Sequence, residues 1–350
     1  CRGGQPAVGG RLCRGECVEY TRGMPLTNCH LCEWHCGVDR TRGELGVCRI
    51  GMPQVASRTL HPAPPESYTI FMAGCNFRCL HCQNWDIAHF PDTGARVDGE
   101  TDPAELAHES LDAMRSMRGR LMGADRLFFS GGSATCSLPF VEAVVAEARK
   151  TDPQTKVNYD TNGFTTEESL ERVLDFATSI TFDIRAFHDD VHRAMTGAPV
   201  EPVLRNAAVV ARNKERLWEF RILVVPGVNE AEVEPLCRFL ADIDPTLPVC
   251  FLAFRPNFVL AGHAGASLSV MEEAVATAYG CGLSKAYWSG RPGISGSVIE
   301  ERSAEYERPG ARLAGAYAER RGCVTHPRDC GACSQMHCCP IKGHVPPRRR

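Results

Sequence analysis

The sequence contains no hydrophobic run long enough to cross a membrane. Hydrophobic residues make up 43% of its 350 positions, but no apolar stretch approaches the roughly 18 residues that a membrane-spanning helix needs. A long basic stripe is also missing, since 39 Lys and Arg residues stand against 42 Asp and Glu residues, for a net charge of −3. The only basic run is the final GHVPPRRR. We therefore expect neither a membrane nor a nucleic acid as a partner.

Cysteine, in contrast, is abundant. The chain has 19 cysteines, and many of them lie two to four residues apart, a spacing that favours metal or cluster binding over disulfides. The groups are Cys13 and Cys17; Cys29, Cys32, Cys36 and Cys48; Cys75, Cys79 and Cys82; and Cys323, Cys330, Cys333, Cys338 and Cys339. Four isolated cysteines are expected to be packing residues, although Cys136 is placed to face a site. With no recognisable secretory signal, the pattern predicts a cytoplasmic protein in a reducing, anaerobic cell.

Six short apolar runs, closed by Gly, Asn, Arg or Pro, predict buried strands that begin near Tyr68, Leu127, Lys156, Ser179, Glu219 and Val249. Helical patterns lie between them at 103–117, 139–150, 165–177, 202–213 and 231–242. Such alternation predicts an α/β fold, a partial βα barrel of six βα units. We divide the chain into a cysteine-rich metal-binding segment of loops at 1–66, the barrel at 67–260, and a C-terminal extension at 261–350 that holds a helix and the cysteine-rich tail.

The stretch GCNFRCLHCQN places Cys75, Cys79 and Cys82 in the spacing C-x3-C-x2-C, directly after the first predicted strand. In βα barrels the chemistry takes place at the carboxyl ends of the strands. Iron–sulfur clusters and zinc sites usually have four protein ligands. Three thiolates therefore either recruit a fourth ligand, such as His81 in a zinc site, or leave one iron of a cluster open. The motifs SGG, DTNG and DIR follow later strands and are expected on the same rim.

This stretch resembles the signature of the radical S-adenosylmethionine (SAM) superfamily. In that family three cysteines hold a 4Fe-4S cluster, the open iron binds SAM, and an electron from the cluster cleaves SAM to a 5′-deoxyadenosyl radical. The resemblance covers about 69–257 and is to the activating-enzyme branch, which includes pyruvate formate-lyase activase. It implies that Cys75, Cys79 and Cys82 are the catalytic cluster ligands. It also implies a low-potential electron donor, such as ferredoxin or flavodoxin, as a partner.

The same resemblance implies a set of SAM contacts: Gly131, Gly132, Ser133, Asp160, Asn162, Asp183, Arg185, Arg221 and Phe254. The two glycines let the backbone approach the SAM amino group. Asp160, Asp183 and Arg185 help to hold the methionine portion, and Arg221 lies near its carboxylate. The sequence departs from the family in that Ser133 replaces an acidic residue, DIR replaces DLK, and a histidine after the sixth strand is absent. Phe254 or Arg255 is then left to cover the adenine.

The two other large cysteine groups are predicted to bind metal. Cys29, Cys32, Cys36 and Cys48 supply four thiolates, and related radical SAM proteins carry a similar preface. Spacing does not choose between a structural zinc site and a cluster there, and we favour a stabilising metal loop. At the C-terminus, Cys323, Cys330, Cys333, Cys338 and Cys339 resemble a ferredoxin ligand run. An auxiliary 4Fe-4S cluster is expected in preference to a zinc site that uses His326 or His337.

The resemblance implies a radical SAM enzyme that modifies a protein residue. Cysteine modules on both sides of an activase core resemble the cobalamin-dependent radical SAM methyltransferases of methanogens, particularly those that C-methylate a glutamine of methyl-coenzyme M reductase. The cobalamin motif D-x-H-x-x-G is absent, so cobalamin would need a different surface. A glycyl-radical enzyme activase is the alternative within the class. An iron–sulfur electron carrier is the alternative from another class, and it leaves the barrel motifs unused.

Overall fold

A computed structural model describes residues 26–321 and residue 323 of the chain. The predictions made for Cys13 and Cys17, and for Cys330, Cys333, Cys338 and Cys339, lie outside these residues. None of the helices in the described ranges is long and apolar enough to cross a membrane.

A single eight-stranded sheet, ordered along the chain, organises the fold. Strand β1 pairs antiparallel with β2, and each strand from β2 to β8 runs parallel to the next. The strands are β1 (Val55–His61), β2 (Ser67–Met72), β3 (Arg126–Gly131), β4 (Lys156–Thr161), β5 (Ser179–Ile184), β6 (Leu217–Val224), β7 (Pro248–Ala253) and β8 (Lys285–Ser289). Because parallel neighbours share one direction, the carboxyl ends of β2 to β8 meet at one rim.

Helices occupy the crossovers between the parallel strands, and one further helix, α10, follows the last strand. They are α1 (Trp85–Ala88), α2 (Pro103–Arg115), α3 (Met117–Met122), α4 (Leu138–Thr151), α5 (Glu167–Phe176), α6 (Asp189–Thr196), α7 (Glu201–Arg212), α8 (Val233–Ile243), α9 (Leu268–Gly280) and α10 (Pro309–Arg320). Local sequence explains several starts. Asp102 accepts hydrogen bonds from the backbone N–H groups of the first turn of α2, and Thr166 caps α5 through the N–H of Ser169.

The two faces of the sheet differ in polarity. Alternate residues such as Ile70, Phe129 and Phe182 are fully buried in the main apolar core together with the helices. The residues between them are largely polar: the side chain of Asn158 donates to the hydroxyl of Thr181 at 3.0 Å, for example. Since side chains alternate along a strand, this polar face is the inner surface of a partial barrel.

The α/β class and the six predicted strands, β2 to β7, are confirmed. Two strands were missed, and the expectation that residues 1–66 consist of loops is wrong for β1. This edge strand pairs with one neighbour only, and most of its side chains after Ala56 are partly exposed, so its apolar pattern is weak. Strand β8 follows helix α9 in the C-terminal extension. It is short, with five residues, and only one of its side chains is buried. It adds a seventh parallel strand.

Candidate active site

The cysteine loop lies on the rim where β2 ends. Cys75 is buried, and Cys79 and Cys82 are partly buried. The loop is fixed by its backbone, because the N–H groups of Arg78 and Leu80 donate to the carbonyl oxygens of Thr196 and Met195 at 2.8 and 3.0 Å. The N–H of Phe77 donates to the sulfur of Cys75 at 3.4 Å. The C-terminal end of helix α6 therefore holds the loop in place through these hydrogen bonds.

Burial raises the pKa of all three loop thiols. It does so for Cys75 and Cys79, and it raises the pKa of Cys82 to about 12. The nearby guanidinium of Arg185 acts in the opposite direction on each of them. A metal that binds here must displace the thiol protons, so loading releases protons and is favoured by higher pH.

No group of three or more His, Cys, Asp or Glu side chains in residues 26–321 and 323 has a ready metal-binding arrangement. The thiols of the loop would therefore turn toward one another on loading. Their chemistry still fits a cluster, because three sulfurs on one short buried loop are soft ligands of the kind that iron–sulfur centres use. The charged groups beside the loop fit a polar ligand as well.

Three charged side chains near the loop have buried polar atoms that find no hydrogen-bond partner within residues 26–321 and 323. They are Oδ1 of Asp160, Oδ1 of Asp183 and Nε of Arg185. Asp160 lies on β4 and Asp183 on β5, one residue before the carboxyl end of each strand. Arg185 donates from Nη2 to Oδ2 of Asp183 at 2.8 Å. Buried polar atoms are rarely left unpaired, so these atoms point to a bound polar molecule.

Asp160 carries the clearest electrostatic perturbation. Burial, followed by the charge of Asp183, raises the pKa of this carboxyl to about 6. Arg221 and the hydroxyl of Ser130, which donates to Oδ2 at 2.6 Å, oppose the shift. The pKa of Asp160 therefore lies closer to neutral pH than that of an ordinary carboxyl.

Arg221 lies lower on the inner face, on β6. Its Nε donates to Oε1 of Glu219 at 2.5 Å, and its Nη2 donates to the carbonyl oxygen of Pro64 at 3.4 Å. Tyr287 of β8 donates its hydroxyl to the other oxygen of Glu219. The predicted SAM contact at Arg221 thus belongs to a network that links β6 to β8.

The turn after β3 packs tightly against the end of β2. The N–H of Gly132 donates to the carbonyl oxygen of Met72 at 2.8 Å, and the N–H of Ser133 donates to that of Gly74 at 2.9 Å. A Cβ on Gly132 would lie 2.1 Å from the Gly74 oxygen, and one on Gly131 would lie 2.4 Å from backbone atoms of Met72. Only glycine fits at both positions. The Ser133 hydroxyl is buried and has no partner among the described residues.

Asn162 connects the turn after β4 to the cysteine loop. Its Nδ2 donates to Oδ1 of Asn76 at 2.8 Å and lies 4.0 Å from the sulfur of Cys75. Asn76 in turn donates to the carbonyl oxygen of Phe164 at 2.9 Å. The predicted site residue Asn162 therefore orients the loop that carries Cys75.

Phe254 and His81 are both buried. Phe254 is 1% exposed and packs in a second apolar cluster with Leu80 and Trp85. Its predicted contact with adenine stays a prediction, and it requires neighbouring side chains to move.

His81 is 5% exposed, and neither of its ring nitrogens has a hydrogen-bond partner among the described residues. Burial, followed by Arg185, lowers its pKa well below the usual range, so the ring is neutral.

The N-terminal cysteine segment packs directly against the loop, which the sequence did not reveal. The indole N–H of Trp34 donates to the carbonyl oxygen of Asn76 at 2.7 Å. Arg78, which is 6% exposed, donates to the carbonyl oxygens of Cys75 and Val47. These residues join the group of Cys29, Cys32, Cys36 and Cys48 to the loop of Cys75, Cys79 and Cys82.

Of the predicted C-terminal ligands only Cys323 is described, and its N–H donates to the carbonyl oxygen of Ala318 at 2.9 Å.

A family model described as the radical SAM superfamily matches residues 69–240. Residues 69–240 are a radical SAM domain. An uncharacterised protein of Methanocaldococcus jannaschii is 26% identical over 77% of this chain and 82% of its own length. A pyruvate formate-lyase-activating enzyme of Staphylococcus aureus is 28% identical over 52% of this chain and 71% of its own length.

Among solved structures, the radical SAM chain resembles Streptococcus suis SuiB bound to its precursor peptide SuiA. The TM-score is 0.44 at 12% identity, with 62% of this chain and 46% of SuiB covered. A TM-score below 0.5 adds nothing to the family match. The radical SAM family implies a 4Fe-4S cluster and SAM as the cofactors of this domain.

Proposed function

We propose that this radical SAM enzyme cleaves SAM reductively and uses the product to modify a residue of a protein or peptide. The observation that carries the proposal is the set of unpartnered buried atoms on Asp160, Asp183 and Arg185, beside a loop with three thiols. Relatives named as activating enzymes support a protein substrate.

In this proposal Cys75, Cys79 and Cys82 hold a 4Fe-4S cluster. When bound, the cluster supplies the electron that cleaves SAM. The free carboxylate oxygens of Asp160 and Asp183 accept hydrogen bonds from SAM and offset its positive charge. The free Nε of Arg185 donates to an acceptor of SAM. The closely packed turn at Gly131 and Gly132 brings the backbone within reach of the amino group.

Two reactions are candidates for the second half of the chemistry. The naming of relatives as pyruvate formate-lyase-activating enzymes favours a glycyl-radical enzyme activase. Cobalamin-dependent C-methylation of a glutamine in methyl-coenzyme M reductase rests on the extra cysteine groups, and it stays a prediction. Binding of a corrinoid distinguishes the two candidate reactions. A protein that binds cobalamin and gains its visible absorption supports the methyltransferase, and one that does not supports the activase.

The test is anaerobic reconstitution with iron and sulfide, followed by incubation with SAM and dithionite. The parent should release 5′-deoxyadenosine. Replacement of any one of Cys75, Cys79 or Cys82 by Ala should abolish the product, because each removes one of three cluster ligands. Cys281→Ala is the matched control, since this partly exposed thiol lies at the end of α9 and should retain full cleavage. A parent that loads iron and sulfide but releases no 5′-deoxyadenosine would refute the proposal.

A further inference from the structure

Cys136 of the barrel meets the N-terminal cysteine segment. Its thiol lies within interacting distance of the thiol of Cys48, and the two residues share a small buried cluster with Ile50 and Ala73. Cys136 is 3% exposed and lies four residues after Gly132, in the turn that leads into α4. An isolated cysteine of the SAM-binding turn therefore contacts a predicted metal ligand that precedes it by 88 residues.

A buried arginine lies among the same sulfurs. Arg40 is 1% exposed. Its Nη1 donates to the carbonyl oxygen of Cys136 at 2.7 Å and lies 4.0 Å from the sulfur of Cys29. Its Nε donates to the carbonyl oxygen of Gly51 at 2.7 Å. Its Nη2 is buried and has no hydrogen-bond partner in the part of the chain that the structure describes.

A buried arginine with a free N–H group requires a nearby anion. No carboxylate appears among the hydrogen-bond partners and ion pairs of Arg40 in the described residues. The groups around it are cysteines, which become anionic when they bind a metal. Four thiolates around Zn²⁺, or around a 4Fe-4S cluster, carry a net negative charge. Arg40 is thus the counter-charge that a metal-loaded cysteine site would need.

We propose that Cys29, Cys32, Cys36 and Cys48 ligate a metal centre, and that Cys136 and Arg40 are positioning residues that donate hydrogen bonds to its ligand sulfurs. The four sulfurs do not form a ready metal-binding group in the part of the chain that the structure describes, so they would turn toward one another when the metal binds. Four thiolates complete either a zinc site or a cluster, so the fifth thiol lies outside the metal's own ligands. Cys36 already accepts a hydrogen bond from the N–H of Val47 at 3.5 Å. Arg40 adds a donor from the N-terminal segment itself, and Cys136 adds one from the barrel.

This arrangement has a structural consequence. The turn that begins at Gly131 and Gly132 also carries Cys136. A metal centre whose ligand sulfur contacts Cys136 would therefore hold this turn, the proposed SAM-binding turn, in position. Arg78 and Trp34 join the same segment to the cysteine loop. The inference is independent of SAM cleavage, because it concerns the second group of cysteines only.

The test uses the full chain with all other predicted metal ligands replaced by Ser, which also excludes SAM cleavage as a variable. These ligands are Cys75, Cys79, Cys82, Cys323, Cys330, Cys333, Cys338 and Cys339. Anaerobic titration with cobalt(II) alone reports the number of bound thiolates from the charge-transfer absorption. Cys48→Ala should lose one thiolate. Cys136→Ala should keep the parent's thiolate count and bind cobalt about 10- to 100-fold more weakly, as loss of a ligand's hydrogen-bond partner does.

Cys136→Ser keeps a donor of similar size and should bind cobalt nearly as tightly as the parent background. Arg40→Met should weaken binding without changing the thiolate count. Cys250→Ala, a buried cysteine on β7, is the control for general loss of packing. Parent-like cobalt affinity in Cys136→Ala would overturn the proposal. Loss of a thiolate in Cys136→Ala, with none lost in Cys48→Ala, would overturn it as well, because Cys136 would then be the ligand.

Discussion

Asp160 gives the sharpest prediction, because one side chain should affect SAM binding and protein stability in opposite directions. Its pKa is raised from the ordinary 3.8 to about 6, first by burial and then by Asp183. If SAM binds only when this carboxyl is ionised, the affinity should be constant above about pH 7 and should fall as the pH drops through 6. At one pH unit below the pKa about one molecule in ten is ionised, so SAM should bind about tenfold more weakly at pH 5.

The same shift sets the effect of Asp160 on folding. A carboxyl whose pKa is higher in the folded protein than in the unfolded chain opposes folding once it is ionised, and the penalty develops between about pH 4 and pH 6. A rise from 3.8 to about 6 corresponds to about 3 kcal/mol. Asp160→Asn removes the charge and leaves an acceptor for the Ser130 hydroxyl. It should therefore raise the free energy of unfolding at pH 7 by up to about 3 kcal/mol.

SAM binding should respond in the other direction. Asp160→Asn should weaken binding about tenfold or more, in line with loss of a charge-assisted hydrogen bond of about 1.5–3 kcal/mol, and it should remove the pH step near 6. The assay is anaerobic equilibrium dialysis of labelled SAM with cluster-loaded protein from pH 5 to 8, with iron content checked at each pH. Glu234→Gln on the exposed surface of α8 is the control. A parent whose affinity does not change between pH 5 and 7 would refute the reasoning.

Two further predictions concern packing around the cysteine loop. Gly132→Ala should destabilise the fold by about 1–3 kcal/mol in thermal unfolding, because the new Cβ would lie 2.1 Å from the backbone oxygen of Gly74. Gly262→Ala is the control and should be neutral in the same experiment, because its Cβ would have no neighbour within 4 Å. Equal melting temperatures for the two variants would contradict this. Trp34→Phe keeps an aromatic ring but loses the 2.7 Å bond to the Asn76 carbonyl, so we expect a loss of about 1 kcal/mol in denaturant unfolding. An unchanged midpoint would show that the bond adds nothing.

The parts of the fold that were predicted correctly are those where local sequence decides the structure. Strands β2 to β7 have neighbours on both sides and an apolar outer face, so runs such as those at Leu127 and Ser179 stand out. The edge strands β1 and β8 are partly exposed, and they carry residues such as Arg58 and Lys285 that hide the pattern. Their place in the sheet depends on pairing, which the local sequence does not encode.

The candidate site divides in the same way. The position of Asp160 and Asp183 near the active rim could be predicted, because active sites of parallel barrels lie at the carboxyl ends of the strands. The contacts of Arg40, Arg78 and Trp34 do not follow from it, because each joins segments that lie 31 to 96 residues apart. A buried arginine has no local sequence signal. Cys136 follows the glycine pair and was therefore singled out among the isolated cysteines, but its neighbourhood with Cys48 had no signal in the sequence.

Charge balance on the inner face explains how the site tolerates its main departure from the family. Ser133 replaces the usual acidic residue, and its hydroxyl is buried without a partner. The polar groups nearby are three carboxylates, Asp160, Asp183 and Glu219, and two guanidiniums, Arg185 and Arg221.

With all five groups ionised, their sum is one negative charge, whereas SAM carries an ammonium, a sulfonium and a carboxylate, a sum of one positive charge. Arg221 forms its ion pair with Glu219, and Arg185 with Asp183. Among the described residues Asp160 is therefore the carboxylate of the three without an ion pair of its own, and Arg221 and Arg185 act on it only from a greater distance. We infer that Asp160 supplies the negative charge that the missing acidic residue would have given. This is why its ionisation should control SAM binding.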